Sequence, residues 1–114
     1  MSTPTPISAR QLQQRLEAGE PLQLVDVREA MELEMARLNV AVIHLPLSES
    51  ERWISSLTEA LDPQRDVVVL CHAGVRSWQF GCWLMEAQGF SNVWNLQGGI
   101  DAWSVEVDPS VPRY

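Results

Sequence analysis

Asp66-Val67-Val68-Val69-Leu70-Cys71-His72-Ala73-Gly74-Val75-Arg76-Ser77 decides how this chain is read. Three valines and a leucine run without polar alternation, the pattern of a strand buried on both faces in a parallel sheet. The apolar run stops at Cys71. Ala73 and Gly74 follow, small enough for the backbone to curl tightly. A helical pattern then covers Arg76 to Gln88, with Gly89 as its C-terminal stop. Ligands of open parallel sheets bind at the carboxyl ends of the strands. Cys71 stands at that end, which makes it the first candidate for a reactive residue.

The rest of the chain alternates in the same way. Ser8 reads as an N-cap, with Leu12 and Leu16 on one helical face and Gly19 as the stop. Leu22 to Val27 reads as a strand, Glu29 to Ala36 as a short helix, and Ala41 to Leu45 as a strand stopped by Pro46. Trp53, Ile54, Leu57 and Leu61 have helical spacing within a predicted helix over Ser48 to Leu61. Asp62-Pro63 marks a turn. Val93 to Leu96 is the last strand, and Gly98-Gly99 opens a short helix to about Trp103. The sum predicts an α/β fold: a parallel sheet with helices on both faces. Residues 1–7 read as a flexible N-terminal arm, 8–104 as one domain, and 105–114 as an extended C-terminal tail packing on it.

Composition narrows the function. The net charge of −7 argues against nucleic acid and anionic membranes as partners. All eight basic residues are Arg, which removes Schiff-base lysines and Walker-type phosphate loops. No run is long enough to span a bilayer, and residues 1–7 lack the basic and apolar regions of a signal peptide. A cytoplasmic protein with both cysteines, Cys71 and Cys82, reduced is therefore expected. The two cysteines and two histidines show no metal-ligand spacing, so neither metal nor cofactor is expected.

The loop carries the chemistry. Curling the backbone over Ala73 and Gly74 turns N–H groups inward, an anion-binding nest. The following helix adds unsatisfied N–H groups and the positive end of its dipole. Both favour a thiolate at Cys71, and the thiolate is the nucleophile. The guanidinium of Arg76 adds a positive charge and a fork suited to a sulfonate or phosphate. The plainer reading makes Cys71 a buried core cysteine, which the Gly, Arg and Ser that follow fit poorly.

Four stretches, in order, resemble the rhodanese-like domain superfamily over nearly the whole chain. They are Leu24-Val25-Asp26-Val27-Arg28-Glu29, Ile43-His44-Leu45-Pro46-Leu47, the loop from Val68 to Ser77, and Gly89 to Val93 followed by Leu96 to Trp103. The resemblance implies about five parallel strands with flanking helices. It implies that Cys71 accepts sulfane sulfur from thiosulfate or a protein persulfide. The resulting persulfide then passes its sulfur to cyanide, a thiol or a sulfur-carrier protein. Phosphatases of this fold separate cysteine and arginine by five residues, whereas four separate Cys71 from Arg76. The smaller ring suits a sulfur atom carried on Cys71 rather than a phosphate attacked by it. Glu32 to Leu38 and Val107 to Tyr114 look like rhodanese domains fused to ubiquitin-like-protein activating enzymes. The family's usual "GHI" before the second strand is replaced by Arg37 to Val40.

The active loop is thus His72, Ala73, Gly74, Val75, Arg76 and Ser77 around catalytic Cys71. His72 is read as a rim residue rather than a base, and Ser77 as a loop hydrogen-bonder rather than a nucleophile. Asp26 and Arg28 form a structural ion pair or help position an anionic donor, the former favoured. Cys82 reads as core. Trp53, Trp83 and Trp103 read as core or near-core, and Trp78 as a candidate wall of the site. A sulfurtransferase is the leading function. The alternatives are a non-catalytic binding or redox-sensing module and a cysteine-based phosphatase.

Overall fold

The computed structural model describes residues 2–114. Five parallel strands form one sheet in the order β1-β5-β4-β2-β3. They are β1 (Thr5–Ile7), β2 (Gln23–Asp26), β3 (Ile43–His44), β4 (Val67–Leu70) and β5 (Val93–Leu96). The helices are α1 (Ala9–Glu17), α2 (Ala30–Met35), α3 (Ser50–Trp53), α4 (Leu57–Ala60), α5 (Val75–Ala87) and α6 (Gly99–Glu106). Among the described residues, no helix is long and apolar enough to cross a membrane.

The unbroken valine run takes the centre. All four residues of β4 are buried, and the strand pairs with β2 on one side and β5 on the other. Successive side chains of a strand point to opposite faces. Val68 and Leu70 therefore join Leu12, Ile100 and Trp103 in a core under α1 and α6. Val67, Val69 and Cys71 join Leu57, Phe80 and Leu84 in a second core under α4 and α5. Cys71 thus lies at the end of the central strand, on the α5 face.

Local signals explain several boundaries. Ser8 and Gln11 form a reciprocal capping box at the start of α1. Burying Ala9 and Leu12 then turns that helix against α6. The predicted helix over Ser48 to Leu61 is broken instead, with 3₁₀ turns at Leu47–Glu49 and Ile54–Ser56 flanking α3. Serines compete for backbone hydrogen bonds, and Ser56 Oγ donates to the Trp53 carbonyl at 3.3 Å. The predicted strand Ala41 to Leu45 shrinks to two residues, paired only with β2.

The reading of residues 1–7 as a flexible arm is corrected over Thr5–Ile7, which form edge strand β1 against β5; Met1 lies outside the described residues. The prolines of this stretch read as a short extended arm, and Pro6 lacks the N–H that a strand ladder uses. An edge strand tolerates that loss, and Ile7 is buried in the core under α1. The boundary at residue 104 also shifts, because α6 continues to Glu106. The segment beyond it packs back through Val111, and Ser104 Oγ donates to the Val111 carbonyl at 2.5 Å.

Ile7→Ala tests the edge strand. Removing this buried side chain is expected to cost about 2–5 kcal/mol in urea unfolding. An unchanged midpoint would show that β1 contributes nothing to the fold.

Candidate active site

Cys71 follows the last residue of β4, and α5 begins four residues later at Val75. The turn between them depends on Gly74, the N-cap of α5, at φ +106°. That backbone conformation is left-handed and favours glycine. It brings the Gly74 N–H to the Cys71 Sγ at 3.1 Å. The Ser77 N–H, in the first turn of α5, reaches the same sulfur at 3.4 Å. That N–H has no partner within its own helix, so the sulfur takes the place an N-cap oxygen normally fills. Two backbone donors and the helix dipole therefore converge on one sulfur and favour negative charge there.

The loop is held from outside by α6. Ile100 N–H donates to the Cys71 carbonyl at 2.9 Å, and Asp101 N–H to the His72 carbonyl at 3.1 Å. In a trans peptide the carbonyl and the N–H point opposite ways. Capturing these carbonyls therefore turns the amides of His72 and Ala73 away from α6. Gly99 makes the approach possible. A Cβ there would lie 2.5 Å from the Cys71 carbonyl oxygen and closer still to that of His72. No side chain fits in that gap, which gives Gly99 a role at the loop rather than only at a helix start.

The Ser77 hydroxyl is shared. Its Oγ lies 3.3 Å from Cys71 Sγ and 2.6 Å from Asn95 Oδ1. Asn95 Nδ2 donates to the Gly74 carbonyl at 3.0 Å, which fixes Oδ1 as an acceptor. One hydroxyl proton cannot serve both neighbours. The Ser77 proton therefore goes either to Asn95 Oδ1 or to Cys71 Sγ.

Arg76 departs from the expected arrangement. Its guanidinium fork, assigned from sequence to an anionic ligand, grips Glu32 instead, with Nη1–Oε1 at 2.7 Å and Nη2–Oε2 at 2.9 Å. Glu32 Oε1 also accepts from the Glu29 N–H at 3.1 Å, and Oε2 from the Tyr114 hydroxyl at 2.8 Å. The Arg76 hydrogen bonds, against an opposing effect of burial, bring the Glu32 carboxyl down to about 2. Glu32 raises the Arg76 guanidinium in turn, against the opposing effect of burial.

Asp26 and Arg28 form a buried ion pair. Arg28 has no exposed surface, and its Nη2 donates to Asp26 Oδ2 at 2.8 Å. Its backbone N–H donates to Oδ1 at 3.0 Å. Arg28 Nη1 donates to the Tyr114 hydroxyl at 3.0 Å. The chain of contacts Asp26–Arg28–Tyr114–Glu32–Arg76 thus ties the end of β2 to the start of α5 beside the Cys71 loop. His72 lies at the rim, its ring stacked on Tyr114 with centroids 4.2 Å apart. Cys82 is half-buried outside this network, its thiol raised by burial and by Glu86. Trp78 is exposed near the start of α5, whereas Trp103 is core and Trp53 and Trp83 pack edge to face.

Glu32, Asn95 and Tyr114 were not singled out from sequence. A polar Asn inside an otherwise apolar strand was a usable signal. Glu32 and Tyr114 lay within the two stretches that carried the narrower resemblance, but neither spacing nor polarity brings them together.

A recessed cysteine at the carboxyl end of a central parallel strand, cradled by a helix N-terminus, defines a cysteine-centred α/β domain. The model of the rhodanese-like domain matches residues 8–106, and the chain belongs to that family. It is 46% identical over 92 residues to the chloroplastic rhodanese-like/PpiC domain-containing protein 12 of Arabidopsis thaliana, covering 81% of this chain and 30% of that protein. It is 36% identical over 103 residues to the putative sulfurtransferase YtwF of Bacillus subtilis, covering 90% and 93%. A crystal structure of a rhodanese-like domain protein from Staphylococcus aureus superposes with a TM-score of 0.74 at 26% identity, covering 96% and 98%.

Two measurements probe the site. Ser77→Ala removes a hydroxyl 3.3 Å from Cys71 Sγ; a hydrogen bond to a charged group is worth about 1.5–3 kcal/mol, and its loss should slow iodoacetamide alkylation of Cys71 about tenfold or more, whereas an unchanged rate would remove Ser77 from thiolate stabilisation. The second concerns Glu32, whose carboxyl lies below its ordinary 4.5 in the folded state. Its stabilisation is complete above that value and is lost as pH falls toward about 2. Across that window the urea midpoint should fall more steeply for the wild type than for Glu32→Gln. Parallel slopes would contradict the assignment.

Proposed function

We propose that the protein is a sulfurtransferase that carries sulfane sulfur on Cys71. The observation that carries this reading is the convergence of the Gly74 and Ser77 N–H groups on Cys71 Sγ. In the loading step the thiolate attacks the outer sulfur of a donor. With thiosulfate, the Cys71 S–S bond forms, the donor S–S bond breaks, and sulfite leaves with the bonding pair. With a persulfide, the donor leaves as its thiolate. The loaded sulfur then passes to a nucleophilic acceptor such as cyanide, a thiol or a sulfur-carrier protein, and the Cys71 thiolate is regenerated. The cradle stabilises negative charge before and after each step, so no base is needed. His72 is stacked on Tyr114 and serves the rim.

The four-residue gap between Cys71 and Arg76 supports sulfur carriage over phosphate chemistry. The capture of Arg76 by Glu32 supports it further, since phosphoryl oxygens would need that fork. The stretches Glu32 to Leu38 and Val107 to Tyr114 support delivery to a carrier protein. One observation favours a second reading: Cys71 is only 1% exposed, as in a non-catalytic binding or redox-sensing module.

Incubation with thiosulfate or a persulfide, followed by intact mass spectrometry, separates these readings. Transfer predicts a gain of one sulfur atom that is absent in Cys71→Ala and lost on adding cyanide as thiocyanate forms. An inert Cys71 would support the binding module. Hydrolysis of aryl phosphates without sulfur loading would support a phosphatase.

A further inference from the structure

Arg76 raises a question that sulfur transfer alone does not answer. Its guanidinium is the cation nearest in sequence to Cys71 and belongs to the same loop, yet both Nη atoms are occupied by Glu32. Glu32 is not a loose surface partner. Its side chain is 13% exposed, against 36% for Arg76. Its oxygens accept four hydrogen bonds in all, from Arg76 twice, the Glu29 N–H and the Tyr114 hydroxyl. Tyr114 is held by Arg28, which is buried against Asp26. An incoming anion that claimed Arg76 would have to break a bidentate pair anchored through this chain.

The electrostatic consequence follows directly. Glu32 cancels the charge of Arg76 beside the loop, on a protein whose net charge is −7. A small dianion meets no free guanidinium there, and the overall field repels it. The two donor classes differ at this point. Thiosulfate carries a sulfonate that needs its own counter-charge while its outer sulfur meets Cys71. A thiol persulfide brings only a terminal sulfur to the recessed Cys71, whose own sulfur the Gly74 and Ser77 N–H groups already meet.

We propose that Glu32 is the positioning residue that sets donor selectivity, withholding Arg76 from a donor's sulfonate and so directing Cys71 toward persulfide donors over thiosulfate. This rests on the sulfurtransferase reading. The chemistry balances for either donor. Thiosulfate plus the Cys71 thiolate gives the Cys71 persulfide anion and sulfite. A protonated persulfide, R–S–SH, plus the thiolate gives the protonated Cys71 persulfide and the R–S⁻ leaving group. Neither route needs an external oxidant or reductant. Only the first leaves a dianion to be bound and released.

The test is single-turnover loading of Cys71, followed by quenched intact mass spectrometry, with thiosulfate and with 2-hydroxyethyl persulfide generated in situ. In Glu32→Gln, the ratio of the second-order loading constants, thiosulfate over persulfide, should rise about tenfold, as expected for freeing a charge-assisted contact. The gain should lie in the half-saturating concentration of thiosulfate and should weaken as salt is added. Tyr114→Phe retains the carboxylate but removes one of its donors. It should shift the ratio the same way by a smaller factor, and it decides the matter if Glu32→Gln does not fold. A ratio unchanged in the folded variants, with both donors gaining or losing together, would make Glu32 purely structural and overturn the proposal. Failure of the wild type to gain sulfur from either donor would overturn the proposal and the sulfurtransferase reading together.

Discussion

The capture of the Cys71 and His72 carbonyls by the first free N–H groups of α6 is the constraint on which the site depends. It fixes the outer side of the loop while Gly74 and Ser77 aim their N–H groups at the sulfur from the inner side. Both halves use the same property of helices. The first turn of α6 satisfies its orphan donors on the loop backbone, and the first turn of α5 satisfies one on Cys71. Two helix N-termini from opposite faces of the sheet thus meet at the end of one strand. Gly99 allows this meeting because any side chain there would collide with the loop.

Around this cradle the charges are arranged to cancel rather than to attract. Asp26 neutralises Arg28 in the interior, and Glu32 neutralises Arg76 at the loop. A buried ion pair is weak evidence of stability in itself. Its geometric consequence is clearer here, because the two pairs are joined through the hydroxyl of Tyr114. The segment after α6 thereby becomes part of the site, with His72 stacked on the same tyrosine.

Much of this was legible in the sequence, for identifiable reasons. The unbroken Val67–Leu70 run reads as a central strand because both of its faces are buried, and Gly74 reads as a turn because it must adopt positive φ. The ends of α5 and the extent of β5 follow from strong local signals. The broken helix between Ser50 and Ala60 was not legible, since its apolar spacing is helical while its serines disrupt the hydrogen-bonding. Strand β1 was hidden because its prolines read as an extended arm, and pairing with β5 makes it a strand. The fate of Arg76 was the least accessible. Its partner lies 44 residues away, and nothing local distinguishes a guanidinium that binds a ligand from one that binds Glu32.

The central claim is that the Gly74 and Ser77 amides hold negative sulfur at Cys71, and amide proton NMR tests it most directly. On sulfur loading of uniformly ¹⁵N-labelled protein, the resonances of Gly74 and Ser77 should shift more than those of other loop amides. They should return on treatment with cyanide. Loading that leaves both resonances unmoved would contradict the account.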